Sequence, residues 1–162
     1  MKKLLLSAFC SIAMISSHAQ NYYLSSPDGL LAAKITIGAN ASLVLSNGTE
    51  ELLMLDDIDL VSDDEQLKGM KVVKTANQSV TNTVIPSIKE KSASYPENYN
   101  ELIIGFQSDK ALNFRLFNEG IAYRFTTSAT DSLTLYRENM TIQFDEGDST
   151  RYQHPQWQAK QI

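Results

Sequence analysis

Apolar residues in this chain recur at alternate positions or in short runs, and nowhere over a long stretch at the 3.6-residue period of a helix. Ala33, Ile35 and Ile37 share one face of the run Leu31 to Ile37, and Leu102, Ile104 and Phe106 share one face of Glu101 to Gln107. Turn signals such as Ser26-Pro27-Asp28-Gly29 and Asn47-Gly48 punctuate these runs about every eight to twelve residues, the rhythm of a sandwich or barrel. The pattern predicts an all-β fold of sandwich or barrel type and shows no convincing helix. Further strands are expected at Tyr22 to Leu24, Ala41 to Ser46, Glu51 to Leu55, Ile58 to Val61, Met70 to Lys74 and Val80 to Ile85. A half-exposed strand is expected over Ile88 to Tyr95. A meander of Ala111 to Phe117, Ile121 to Thr127, Leu133 to Arg137 and Met140 to Phe144 should hold much of the core. No repeat or linker divides the chain, so one β-rich domain is expected.

Residues 1–19 read as an export signal, with Lys2 and Lys3, an apolar run from Leu4 to Ile15, and Ser17-His18-Ala19 as a small-x-small cleavage pattern. The run is shorter than the roughly 20 residues that span a bilayer, and no other run is long enough. Cys10 follows Phe9, where a lipoprotein anchor requires a small residue. The expectation is an exported, periplasmic protein whose domain covers 20–162.

Loss of the two leading lysines moves the formal net charge from -5 to -7. Cys10 and His18 leave as well, so His154 is the one histidine after residue 19. That inventory excludes a Cys/His zinc cluster and an internal disulfide, so an apolar core must hold the fold. The acidic balance argues against nucleic acid, which needs a basic face.

Phe114 to Phe125, FRLFNEGIAYRF, reads as a hairpin that places Arg115 and Arg124 in an otherwise apolar stretch. A two-residue turn at Glu119-Gly120 sets the arginines opposite each other, an unfavourable pairing unless an acid or ligand intervenes. A three-residue loop, Asn118-Glu119-Gly120, sends them to opposite faces. The sequence leaves both registers open. The arginine stems are expected to cover apolar surface, with Glu101 and Glu138 as ion-pair partners; the alternative is a guanidinium gripping an anion or sugar hydroxyls.

No nucleophile elbow or phosphate loop is present, and His154 lies in a polar tail beside Pro155. The acid pairs Asp56/Asp57, Asp63/Asp64/Glu65, Glu97/Glu101 and Asp145/Glu146/Asp148 sit mostly in loops, where acids are commonly solvated. Asp145-Glu146-Gly147-Asp148 lacks the later glutamate of a calcium loop. Tyr95, Tyr99, Tyr152 and Trp157 lie near loops, where aromatic rings either stack on sugars or pack at sheet edges. Asn40, Asn47, Asn77 and Asn139 each begin an N-x-[ST] sequon.

Three stretches, SSPDGLL at Ser25 to Leu31, YPENYNELIIGF at Tyr95 to Phe106, and the hairpin, resemble in order and spacing the N-terminal domain of glycoside hydrolase family 97. The resemblance implies an all-β antiparallel β-sandwich, a galactose-mutarotase-like β-supersandwich that is incomplete here and packs on a catalytic (β/α)8 barrel acting on α-linked oligosaccharides. In the full-length family it implies exo-acting α-glucosidases or α-galactosidases, many with calcium, and catalytic residues on the barrel. It therefore implies no catalytic residue, metal site or cofactor in this chain. Its carbohydrate-facing candidates are Tyr99, Asn100 and Trp157. Glu101, Arg115, Gly120, Arg124 and Glu138 are its structural hairpin and ion-pair candidates. A barrel takes about 250 residues, so the expectation is a non-catalytic N-terminal domain that braces the barrel and shapes the sugar entrance, with an exposed apolar patch where the barrel docks; the alternative is a free-standing carbohydrate-binding β-sandwich.

Overall fold

The computed structural model describes residues 19–62, 65–88, 93–130 and 132–144. Its strands are β1 (Gln20–Ser25), β2 (Leu31–Ile37), β3 (Ala41–Asn47), β4 (Glu50–Ser62), β5 (Glu65–Gln66), β6 (Val72–Val84), β7 (Tyr95–Phe106), β8 (Lys110–Leu116), β9 (Ile121–Thr127) and β10 (Leu135–Gln143). No helix occurs among the described residues. The first sheet runs β1-β2-β3-β4-β10, with β5 also on β4; the second is the meander β6-β7-β8-β9, and all pairings are antiparallel.

The period-two pattern explains the layering. Ala33, Ile35 and Ile37 on β2 and Leu43 and Leu45 on β3 face inward, against Leu102, Ile104 and Phe106 on β7 and Leu112, Phe114 and Leu116 on β8. These residues form one core between the sheets, and Phe114, Ile35, Leu43 and Ile104 are completely buried. Truncating such a side chain to Ala typically costs about 2–5 kcal/mol. The two-residue turn between β3 and β4 has Gly48 at a φ of 59°, in the left-handed region where a Cβ is disfavoured.

Several boundaries differ from the sequence expectation. Glu51 to Leu55 and Ile58 to Val61 belong to one strand, β4, whose register slips at a bulge around Asp57. Asp57 has a φ of 53°, and such a kink disturbs the alternation that marks a strand. Met70 to Lys74 and Val80 to Ile85 are likewise joined through β6, whose middle is polar because this edge strand is almost wholly exposed. The expected strand over Ile88 to Tyr95 is absent from its described residues ahead of Tyr95, where β7 starts. Leu133 to Arg137 and Met140 to Phe144 contribute to the single strand β10, which leaves the meander and pairs with β4 in the opposite sheet.

Candidate functional site

The hairpin register is neither of the two that the sequence left open. Leu116 faces Ile121, Arg115 faces Ala122, Phe114 faces Tyr123 and Asn113 faces Arg124. The turn centres on Asn118 and Glu119, and the Phe117 N–H donates to the Gly120 carbonyl at 2.9 Å. Gly120 closes it at a φ of 158°. This register puts both arginines on the outer face of the second sheet as diagonal neighbours rather than a direct pair.

Between them sits Glu101. It lies directly opposite Arg115 on β8 and Gln78 on β6. The Arg115 Nε donates to Glu101 Oε1 at 2.8 Å, and an Arg124 nitrogen lies 4.0 Å from the same oxygen. Gln78 donates its side-chain amide to the other carboxylate oxygen. Although on an outer face, the Glu101 side chain is only 2% exposed, because its neighbours cover it. Burial by itself pushes the carboxyl up; the Arg115 hydrogen bond, the Gln78 hydrogen bond and the two guanidinium charges outweigh it and hold Glu101 below its ordinary value. The same hydrogen bond raises Arg115.

The cover over this pair is aromatic. The Arg115 guanidinium stands 4.5 Å from the Tyr99 ring centroid, a cation–π distance. Phe117 packs on Tyr99 with centroids 5.1 Å apart. Tyr99 is 5% exposed, so it presents no open ring face for a sugar. Glu97 adds a longer contact to Arg115 at 3.9 Å.

Asn100 turns away from this cluster, toward the first sheet. Its amide nitrogen donates to the Ser25 carbonyl at 2.7 Å and its oxygen accepts from the Ser79 hydroxyl at 2.6 Å. Both ends are therefore engaged in joining β7 to β1 and β6. Glu138 is not beside the arginines: it lies on β10 and accepts from the Tyr123 hydroxyl at 3.0 Å. Its place follows from the crossing of β10 to the first sheet, which the local sequence does not mark. Burial, then the Glu138 hydrogen bond and charge, push Tyr123 up to about 12. Trp157, His154, Tyr152 and the Asp145-Glu146-Gly147-Asp148 stretch lie outside the described residues.

Sequence reasoning missed Gln78, Tyr123 and Phe117 as members of these networks. The signal for Phe117 was its place at the end of the hairpin strand; Gln78 had none, since its role depends on the β6–β7 register. Among the described residues no three carboxylate, His or Cys side chains converge to hold a metal. The calcium implied for full-length family members therefore has no fitting ligand set among them. No helix of the described residues is long and apolar enough to cross a membrane.

A profile of the family described as Glycosyl-hydrolase 97 N-terminal matches residues 24–161. The chain belongs to glycoside hydrolase family 97. It is 34% identical over 128 residues to a retaining alpha-galactosidase from Bacteroides thetaiotaomicron, a match that covers 77% of this chain and 19% of the relative. Family 97 membership agrees with the fold: a family 97 enzyme from Pseudoalteromonas sp. strain K8, solved in complex with acarbose, superimposes with a TM-score of 0.58 at 16% identity. That superposition covers 72% of this chain and 19% of the enzyme. The chain thus spans about a fifth of the length of the relatives it matches.

Proposed function

We propose that this family 97 chain is the non-catalytic N-terminal portion of an exported, periplasmic α-glycosidase, bracing the catalytic barrel and shaping the carbohydrate entrance. The observation that carries the reading is the N-terminal family match over residues 24–161. The Glu101 cluster supports it from chemistry. Glycoside hydrolysis uses two carboxyl groups facing each other across a sugar, about 5–9.5 Å apart. Here the buried carboxylate is held ionised by two arginines and a glutamine, which suits a structural brace and not a proton donor. Tyr99 and Asn100 are spent on internal contacts in the same way.

The test joins this chain in frame to the part of the Bacteroides thetaiotaomicron relative that lies beyond the matched region. Hydrolysis of nitrophenyl α-galactoside and α-glucoside is then compared for the chain, the remainder and the joined protein. The chain alone should hydrolyse neither substrate, and the joined protein should exceed the remainder alone at least tenfold. Turnover by the pure chain, or equal rates with and without it, would contradict the reading.

A further inference from the structure

Among the described residues, the sandwich is open and apolar along the edge between β9 and β10. On β10, Glu138, Met140 and Ile142 alternate toward the inside: Ile142 stands opposite the core residue Leu55. Tyr123, on the inner face of β9, reaches across to Glu138, and its hydroxyl lies 3.3 Å from the Met140 sulfur. These positions point into the sandwich, yet Met140 is 41% exposed and Ile142 45%, with Phe144 46% exposed just beyond the strand. On the facing strand Tyr123 and Phe125 are packed against the core but only partly buried. The core therefore runs out to this edge, and no described element covers it there.

The backbone is unfinished in the same place. Among the described residues β9 pairs only with β8, and β10 only with β4. A free strand edge beside an inward apolar row is a template for another strand. A helix would cover the apolar row but leave the edge N–H and C=O groups of β10 unpaired, whereas an extended segment satisfies both.

We propose that the β9/β10 edge seats an extended segment from the polypeptide that follows this domain in a family 97 enzyme. Its backbone pairs with β10, and its alternate apolar side chains enter the mouth over Met140, Ile142 and Tyr123. The continuity of the mouth with the core favours a covalently connected occupant that stays in place. The matched alpha-galactosidase supplies the source, since the match covers only 19% of its length. The inference rests on the chain being the N-terminal portion of such an enzyme.

Hydrogen exchange of the 162-residue chain and of its in-frame fusion to the remainder of that alpha-galactosidase tests the proposal. In the fusion, amides of Ile121–Thr127 and Leu135–Gln143 should exchange at least tenfold more slowly. Ile142→Asp in the fusion should remove that slowing while the amides of β2 and β3 stay protected, which shows that the sandwich is intact. If the fusion hydrolyses substrate but slows only other segments, such as the β6–β7 arm, the docking proposal is overturned and the N-terminal reading stands. Slowing nowhere in the chain, with no gain in hydrolysis over the remainder alone, overturns both. A dimer of the chain by itself, with β9 and β10 equally protected and no further change in the fusion, assigns the edge to a second copy and overturns the proposal.

Discussion

The two edges of this sandwich, β1/β6 and β9/β10, are built from opposite chemistry. At the β1/β6 edge the groups are polar and consume one another: on the inner face Ser79 bonds Asn100 and Asn100 bonds the Ser25 carbonyl, and on the outer face Gln78 bonds Glu101. At the β9/β10 edge the inward groups are Met140, Ile142, Tyr123, Phe125 and Glu138, and the polar contacts among them are those of the Tyr123 hydroxyl, which donates to Glu138 and lies 3.3 Å from the Met140 sulfur. Both edges leave strands exposed, but only the second leaves core-facing apolar surface in water. A polar edge whose hydrogen bonds are closed is complete as it stands; an apolar edge becomes stable by being covered. The proposed docking edge is the one whose apolar side chains remain in water.

Breaking the polar side should have the largest effect on the chain itself. Glu101→Ala strips a buried carboxylate from Arg115, Arg124 and Gln78, and removing one partner of a buried pair costs about 3–5 kcal/mol. Urea denaturation at neutral pH reads this loss. The same carboxylate sets an acid limit. Its folded pKa is lowered, so its contribution is complete above the unfolded value of about 4.3 and is lost as pH falls through the folded value. Wild type should lose stability below about pH 4 more steeply than Glu101→Gln, with the two curves converging at the acid end. Asn100→Ala breaks the β7–β1 and β7–β6 ties and should cost roughly 1–2 kcal/mol in the same assay. Arg124→Ala is a smaller test. Its side chain is 56% exposed and its guanidinium lies 4.0 Å from Glu101, so less than about 1 kcal/mol is expected. A larger loss would show Arg124 to be an equal partner of Arg115.

The hairpin shows what the sequence can and cannot carry. The apolar face of Leu112, Phe114 and Leu116 was evident from alternation, and the all-β class followed from the same signal along the chain. Register was another matter. Glycine at position 120 suggested a turn centred on or ending at that residue, but the turn sits one step earlier and Gly120 only closes it. That shift decides which groups meet Glu101. Contacts between distant strands were also hidden: Glu138 reaches Tyr123 because β10 crosses to the first sheet, and no local pattern in Leu135 to Gln143 announces the crossing. Tyr99 looked exposed because it lies near a polar loop in sequence, yet Arg115 and Phe117, brought in from the hairpin, cover it. The long edge strand β6 read as two pieces because an exposed strand has no apolar face to betray it.

The contrast between the edges is tested most directly by one double comparison of thermal stability. Ser79→Ala at the polar edge and Ile142→Asp at the apolar edge are each measured in the chain and in its fusion to the remainder of the alpha-galactosidase. Ser79→Ala removes a hydrogen bond internal to the domain, so it should cost about 1 kcal/mol in either setting. Ile142→Asp replaces a half-exposed side chain in the chain and should matter little there. In the fusion the Asp side chain is buried in the mouth without a partner, and the loss should reach roughly 2 kcal/mol or more, a drop of several degrees in melting temperature. An Ile142→Asp loss of the same size in both settings would contradict the assignment of β9/β10 as the seam.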